Sequence, residues 1–325
     1  MKSDEKRESM DNLKAVVETI VHFLEKTEPI KNKNLIEICR ANGVDFITGA
    51  NEVHLIHELL ETAVNQIIVR NFNWSNPFQK GCENQTLERL TNLLKNCPPQ
   101  SWRGKEQISL QQFSTPPEVA YLLVKILNPS ENELILEPSA GTGSLAAWLK
   151  VAGCRFHLNE LSATRRMLLE LQDYEPTGIN AEFLDDLLPE EIAPDGVLMN
   201  PPFTASGGRT KNNDSNFGFR HIKSALARLK KGGRLVALLG SDTLTKTDKG
   251  LRFLSEIAAE YDLKAIINLP KNAFYKYGTT LPTTIICIKK NEPKMPANRA
   301  KSSVSVLEIS CRNLEEGLRY AGIFD

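Results

Sequence analysis

The stretch Asn200-Pro201-Pro202-Phe203 contains the residue types best suited to chemistry on an amino group. Proline has no backbone N–H and restricts the residue before it, so this stretch predicts a stiff turn with unused carbonyl groups. The side-chain oxygen of Asn200 and the carbonyl of Pro201 can accept both hydrogens of a planar NH2 group. Phe203 can stack on the ring that carries this group. The plainer alternative is a turn that only ends a strand.

A second informative stretch, Glu137-Pro138-Ser139-Ala140-Gly141-Thr142-Gly143, follows an apolar run and predicts a strand–turn–helix unit. Glycine lacks a Cβ atom, so Gly141 and Gly143 allow a tight turn that approaches a ligand closely. The GxGxxG spacing of dinucleotide sites is absent. The acid Glu137, at the end of the strand, suits an ammonium group better than a pyrophosphate. S-adenosylmethionine carries such a group, and we expect the turn to bind it through Glu137, Pro138, Ser139, Gly141 and Gly143.

Two more acids follow predicted strands and extend this ligand site. Glu160 comes after the strand at 155–158, where a carboxylate can accept both hydroxyls of a ribose. Asp185 comes after a third predicted strand, Ala181 to Phe183, and could receive the adenine amino group. Asp186 is its close competitor for this role. Each acid alone would be read as a helix cap or a surface charge, but three acids at successive strand ends indicate one nucleoside site.

A methyl donor beside the Asn200 turn explains the chemistry of both stretches. Accepting the two hydrogens of an amine shifts electron density onto its nitrogen, which then attacks the sulfonium methyl group. The amine loses its proton afterwards, so no strong base is required. Catalysis would consist mainly of orientation and electrostatic stabilisation.

The elements that position these residues are predicted from hydrophobic periodicity. Three helical stripes occupy the first hundred residues, and short apolar strands then alternate with helical segments, which predicts an α/β fold with a largely parallel sheet. We expect an N-terminal helical domain over residues 1–105 and a catalytic domain over residues 106–325. The predicted strands are Leu134–Leu136, Arg155–Leu158, Ala181–Phe183, Gly196–Met199, Arg234–Leu239, Leu263–Asn268, Thr283–Ile288 and a last one near Val304–Ile309.

Composition excludes several classes of protein. The 325 residues are 41% hydrophobic and 25% charged with a net charge of zero, which is typical of a globular protein and not of a uniformly basic nucleic-acid coat protein. No apolar run approaches the roughly eighteen residues that a membrane span needs. The charged N-terminus does not resemble a signal peptide, so we expect a cytoplasmic location. The scattered cysteines and histidines predict no metal site.

Basic residues are concentrated between Arg209 and Arg234, where only Asp214 opposes them. They could form a local surface for phosphates, and a solvated helix face is the equally plain alternative. We expect the polar, glycine-containing segment 204–217 to be mobile and to become ordered on nucleic acid, or else to serve only as a connector.

The sequence resembles the gamma class of N6-adenine DNA methyltransferases, especially the modification subunits of type I restriction–modification systems. The resemblance covers about Gln111 to Lys290 and begins with Phe113-Ser114-Thr115-Pro116-Pro117. It also includes residues 137–143, which we call the glycine turn, and residues 200–203, which we call the Asn200 turn. It implies a Rossmann-like, class I methyltransferase fold with a mostly parallel seven-stranded sheet. It also implies that double-stranded DNA with a flipped adenine is the substrate, that Phe113 and Thr115 contact the cofactor, and that Asn200 and Phe203 are catalytic.

The resemblance has one departure and leaves alternatives open. Members that act alone have a target-recognition domain after the catalytic domain, whereas about thirty-five residues follow Lys290 here. Sequence recognition must then come from the N-terminal helices, from segment 204–217 or from another protein. Type I modification subunits obtain specificity from a separate subunit, so the resemblance favours such a partner. The alternatives are methylation of guanine N2 in ribosomal RNA or of a protein glutamine, and a non-catalytic subunit that binds nucleic acid.

Overall fold

The computed structural model describes residues 2–44, 50–72, 76–100, 113–202, 217–291 and 306–324. The described residues of the N-terminal part contain four helices, and the three predicted stripes are confirmed in the first, third and fourth of them. The predicted boundary at residues 105 and 106 lies outside the described residues and stays a prediction. The four helices are α1 (Lys2–Glu25), α2 (Asn32–Ala41), α3 (Ala50–Phe72) and α4 (Glu83–Lys95).

The remaining described residues alternate strands with helices, as the sequence predicts. The strands are β1 (Leu134–Glu137), β2 (Arg155–Leu158), β3 (Gly196–Met199), β4 (Arg234–Gly240), β5 (Asp262–Asn268), β6 (Thr283–Lys289) and β7 (Leu307–Ser310). The helices are α5 (Pro117–Leu127), α6 (Ser144–Ala152), α7 (Ala163–Glu170), α8 (Leu184–Leu187), α9 (Phe217–Arg228), α10 (Ser241–Thr245), α11 (Asp248–Glu260) and α12 (Leu314–Leu318). Short 3-10 turns lie at Ala181–Phe183 and Tyr275–Tyr277.

The described strands form one seven-stranded sheet in the order β2-β1-β3-β4-β6-β5-β7. Strand β6 is antiparallel to both of its neighbours, and the other pairings are parallel. The predicted mostly parallel α/β fold is therefore confirmed. Because β2, β1 and β3 are parallel neighbours, the residues that follow them meet at one edge of the sheet.

The predicted strand Ala181–Phe183 is wrong. These residues form a 3-10 turn, since the Asn180 side chain accepts a hydrogen bond from the Glu182 N–H and starts the turn. A segment of only three residues, here Ala-Glu-Phe, carries too little periodicity to distinguish a strand from a helical turn. Asp185 therefore follows no third strand but lies in α8. Among the described residues, the pairing on the outer side of β2 is limited to an isolated parallel bridge between Asn159 and Thr177.

Hydrophobic packing joins the N-terminal helices to the sheet. One buried cluster contains residues of α1, α3 and α4 together with α5, α6 and side chains from β1, β3 and β4. A second cluster lies around α9 and α11 and contains the alternate side chains of β4, including Leu235 and Ala237. The N-terminal helices thus share a core with the domain that carries the predicted site. Within the described part of the chain, no helix is both long and apolar enough to cross a membrane.

Candidate functional site

The predicted site residues Glu137, Glu160 and Asn200 lie at the same edge of the sheet. Glu137 ends β1 opposite Leu158 of β2, and Glu160 follows β2 by two residues. Asn200 directly follows β3, which pairs with β1. The sequence prediction that these side chains converge beyond the carboxyl ends of parallel strands is consistent with this register.

Glu137 is buried, with 1% of its surface exposed. Its Oε2 atom has no hydrogen-bond partner among the described residues. Burial, and then the nearby carboxylate of Glu160, raise the pKa of Glu137 well above its ordinary value. An unpartnered carboxyl group in such a place is costly unless a ligand supplies a donor or a positive charge.

Glu160 holds the backbone around the ligand site. Its Oε2 accepts a hydrogen bond from the Gly141 N–H at 2.8 Å, and its Oε1 accepts one from the Ser162 N–H at 2.8 Å. Gly141 and Gly143 adopt positive φ angles of 57° and 93°, which glycine adopts without strain. Each carboxylate oxygen has a second lone pair, so these bonds leave Glu160 able to accept from a ribose as well.

The amide of Asn200 is fixed by two hydrogen bonds to the segment Phe113–Thr115. Its Nδ2 donates to the carbonyl oxygen of Phe113 and to Thr115 Oγ1, each at 3.0 Å. Both amide hydrogens are thereby used. No described residue donates a hydrogen bond to Asn200 Oδ1, so the acceptor end of the amide is the end available to a ligand.

The segment that fixes Asn200 is itself anchored in the core. Ser114 and Thr115 are buried, and the indole Nε1 of Trp148 donates to the carbonyl of Pro117 at 2.9 Å. Trp148 is fully buried and packs against the ring of Tyr121 with their centroids 4.9 Å apart. The position of Asn200 is therefore tied to helices α5 and α6.

Asn159 is a structural residue of this site that the sequence prediction missed. Its Nδ2 donates to the carbonyls of Pro138 and Ile179, while its Oδ1 accepts from the Ile179 N–H and from Thr177 Oγ1. The side chain is fully buried. Asn159 thereby joins the end of β1 to Thr177 and Ile179, which come just before the predicted third strand in the sequence. Its position one residue before Glu160 was the available signal.

Asp185 does not join the carboxylates at the strand ends in the predicted way. It is exposed on α8, and its Oδ1 accepts a hydrogen bond from Ser224 Oγ at 2.7 Å. Its backbone N–H donates to the same Ser224 oxygen at 3.1 Å. These bonds tie α8 to α9. The prediction that Asp185 receives an adenine amino group therefore loses its structural basis, although the residue's role stays a prediction.

The rest of the predicted catalytic turn is only partly described. Pro201 is buried and Pro202 is half-buried directly after β3. Phe203 and segment 204–216, with Arg209 and Lys211, lie outside the described residues. The backbone at Gly218 lies close to this turn, because a Cβ atom added there would be 3.0 Å from the carbonyl oxygen of Pro202. Helix α9 therefore begins in close contact with the turn.

The predicted basic surface after the turn is largely neutralised in the described part. Carboxylates pair with four of its cations, in the pairs Arg220–Glu182, Lys223–Glu256, Lys230–Asp195 and Arg234–Glu133. Arg228 instead donates to the carbonyls of Pro189 and Ile192. Surface ion pairs are weak, so phosphates could replace the carboxylates as partners of these cations. The paired cations do not, however, form an unopposed positive patch.

Similarity to solved structures defines the class of the fold. A type I restriction–modification system methyltransferase subunit from Streptococcus thermophilus is 18% identical, with a TM-score of 0.51 over 100% of this chain and 90% of that chain. A Listeria monocytogenes protein described as a class I S-adenosylmethionine-dependent methyltransferase is 18% identical, with a TM-score of 0.50 over 98% and 99% of the two chains. The protein has the class I methyltransferase fold.

A match to a family model adds to this similarity in fold. Residues 163–317 match the family model of N-6 DNA methylases, and this range contains the Asn200 turn. The predicted resemblance to N6-adenine DNA methyltransferases is confirmed. The match begins after the glycine turn, which leaves Glu137, Glu160 and all four N-terminal helices outside it.

Relatives of this kind include longer chains. A modification subunit of a type I restriction enzyme from Vibrio vulnificus is 16% identical, with a TM-score of 0.47 over 79% of this chain and 53% of that chain. This chain thus spans about half the length of the Vibrio subunit.

Proposed function

We propose that this protein transfers a methyl group from S-adenosylmethionine to the N6 amino group of adenine in DNA. The observation that carries the proposal is the fixed amide of Asn200. Its two hydrogens are used by Phe113 and Thr115, so its oxygen is directed by the protein as an acceptor for an amine. The family match over the same turn supports adenine in DNA as the substrate.

The residues of the glycine turn fit S-adenosylmethionine. The unpartnered Oε2 of buried Glu137 suits the ammonium group of the methionine part. Glu160, at the end of the next strand, suits the ribose hydroxyls, and the positive-φ glycines keep the turn free of side chains. Bound S-adenosylmethionine supplies an electrophilic methyl group on a positively charged sulfur.

The protein's own contribution to the reaction is orientation and charge stabilisation. Asn200 Oδ1 and the Pro201 carbonyl accept the two hydrogens of the adenine amine and direct the nitrogen lone pair toward the methyl group. As the N–C bond forms, the bond between the methyl group and the sulfur would break with its electron pair left on the sulfur. The amine becomes positive, and these two oxygens stabilise that charge. The amine then releases one proton to water. Phe203 stacks on the flipped base.

The sequence specificity of the reaction is proposed to come from a partner. The Streptococcus and Vibrio proteins are described as subunits of type I systems, which supports assembly with a separate specificity subunit. We propose that the protein acts in the cytoplasm, where its DNA substrate is found. The paired cations of α9 also favour a partner as the main source of DNA contacts.

Methylation of defined substrates tests the proposed function. The purified protein is incubated with methyl-labelled S-adenosylmethionine and unmethylated DNA, alone and with the products of neighbouring genes. We expect label in N6-methyldeoxyadenosine after nucleoside digestion. Label only in N2-methylguanosine of ribosomal RNA, or only in a protein glutamine, would assign the acceptor to those alternatives. Cofactor binding without transfer to any of them would identify a non-catalytic subunit.

A substitution at Thr115 tests whether the fixed orientation of the Asn200 amide contributes to catalysis. Replacing Thr115 with valine keeps the shape of the side chain but removes the oxygen that accepts from Asn200 Nδ2. One neutral hydrogen bond contributes roughly 0.5–1.5 kcal/mol, so we expect kcat to fall up to about tenfold at saturating cofactor. Steady-state kinetics with Thr115→Ser as the matched control measure this. A raised cofactor Kd with unchanged kcat would instead support the cofactor contact predicted for Thr115 from the family resemblance.

A further inference from the structure

One face of helix α3 is polar although it is buried in the protein. His54, Glu58, Glu61 and Asn65 are spaced four, three and four residues apart and therefore lie on one side of the helix. Their exposed fractions are 7%, 3%, 6% and 1%. Buried charged and amide groups on a core helix are retained only where specific partners satisfy them.

Two residues of this face, Glu61 and Asn65, form hydrogen bonds with the glycine turn. The Thr142 hydroxyl donates to Glu61 Oε2 at 2.7 Å, and Asn65 Nδ2 donates to the Thr142 carbonyl at 2.8 Å. Gln172 Nε2 donates to the same carbonyl at 2.9 Å. Thr142 stands between Gly141 and Gly143, so both its side chain and its backbone are fixed from outside the turn. Glu61, Thr115 and Thr142 also line one narrow cleft.

A second pair of contacts extends the face toward Glu160. Arg165, at the start of α7, donates through Nε to Glu58 Oε1 at 2.7 Å. Burial alone would raise the pKa of Glu58, but the Arg165 guanidinium and His54 outweigh it and lower this pKa to about 2. A Cβ atom on Gly141 would lie 3.4 Å from Arg165 Nη1, which places the guanidinium beside the turn.

We propose that α3 is part of the cofactor-binding machinery, with Glu61 and Asn65 acting as positioning residues that hold Thr142 and the glycine turn in the binding conformation. The inference rests on the proposed function, and it extends the site to a helix outside the family match. A turn held in place before the ligand arrives has less conformational freedom to lose on binding. The effect is on cofactor affinity, because the contacts are the same in the ground state and in the transition state.

Thr142→Val tests this role because valine keeps the shape of threonine and removes only the hydroxyl. Calorimetry with S-adenosylmethionine should give a Kd raised about tenfold, the equivalent of one hydrogen bond to a charged group. We expect kcat at saturating cofactor to stay within about twofold of wild type. Thr142→Ser, which keeps the donor, should restore binding.

Thr62→Val on the same helix is the matched control. Thr62 is fully buried, and its hydroxyl donates to the carbonyl of Glu58 within α3. We expect this variant to lower the melting temperature about as much as Thr142→Val does, without changing the cofactor Kd. If the two variants raised the cofactor Kd equally, Thr142 would act only through the stability of the protein. That result would overturn the proposal.

A double variant shows whether Glu61 and Thr142 act through one bond. Glu61→Gln weakens the acceptor, and its effect on Kd should not multiply with that of Thr142→Val when the two are combined. Multiplicative effects, or a Thr142→Val Kd equal to wild type, would overturn the positioning role. If the wild-type protein itself fails to bind S-adenosylmethionine, the proposed function fails and this inference fails with it.

Discussion

Asn200→Ala should abolish methyl transfer and leave cofactor binding close to that of the wild type. The variant removes the acceptor oxygen that the protein holds in place through Phe113 and Thr115. Loss of one such oriented group typically costs about a hundredfold or more in rate. A labelled-methyl assay with DNA measures the first part, and calorimetry with S-adenosylmethionine measures the second.

Asn200→Asp is the informative companion variant. It keeps an acceptor but replaces the donor to the Phe113 carbonyl with a second oxygen, so the side chain should lose its fixed orientation. We expect activity between those of the wild type and Asn200→Ala. A turnover near the wild-type value in the alanine variant would be incompatible with the proposed role of this residue.

Glu137→Gln should lose most of its affinity for S-adenosylmethionine. The change removes the negative charge proposed to meet the ammonium group and keeps the volume of the side chain. Truncating one partner of a buried, hydrogen-bonded charge pair typically costs about 2–5 kcal/mol, which corresponds to a Kd raised at least about thirtyfold. Calorimetry on the folded variant gives this number, and an unchanged Kd would remove Glu137 from the cofactor site.

The raised pKa of Glu137 has a second measurable effect, on stability. Burial and the nearby Glu160 keep the carboxyl protonated in the folded protein at pH values where the unfolded chain has released the proton. Above the unfolded pKa of about 4.3, the contribution of Glu137 to stability therefore falls as the pH rises toward the folded pKa. Without cofactor, Glu137→Gln should be more thermostable than the wild type at pH 7, and the difference should shrink toward pH 5.

Cofactor binding should also release a proton from Glu137. The ammonium group favours the ionised carboxylate, so the wild type should bind more tightly as the pH rises from 6 to about 7.5, below the roughly 7.7–8.0 at which α-amino groups titrate. Binding heats in two buffers with different ionisation enthalpies measure the release. Glu137→Gln provides the control, and equal proton release from the variant would assign the proton to another group.

The sequence predicted the parts of this protein that depend on local residue pattern. The glycine turn and the Asn200 turn lie at the predicted strand ends, because apolar runs bounded by glycine or proline define those strands without help from distant residues. The strand predicted at Ala181–Phe183 is wrong because three residues carry no usable periodicity. Their conformation follows instead from the cap that the Asn180 side chain provides.

Contacts between distant residues could not be predicted in this way. The apolar stripe of α3 correctly predicted the helix, but the polar face on its other side has its partner at Thr142, 81 positions after Glu61. Likewise, nothing in the local pattern indicated that Thr115 would hold Asn200, which follows it by 85 positions. Such pairs follow from tertiary packing, which a single sequence does not contain.

The sheet margin at β2 links cofactor binding to local opening of the fold. Beyond β2, the described chain adds only the Asn159–Thr177 bridge, so this margin should open more easily than the centrally placed β4. Opening would release Asn159, and with it the Pro138 carbonyl and the backbone that leads to Glu160. A ligand that binds only the closed form, and is present at a concentration a hundred times its Kd, raises the free energy of opening by about 2.7 kcal/mol. Native-state hydrogen exchange at Leu158 and Asn159 should therefore slow about a hundredfold with saturating cofactor, while amides in β4 that exchange only on global unfolding report the overall stability.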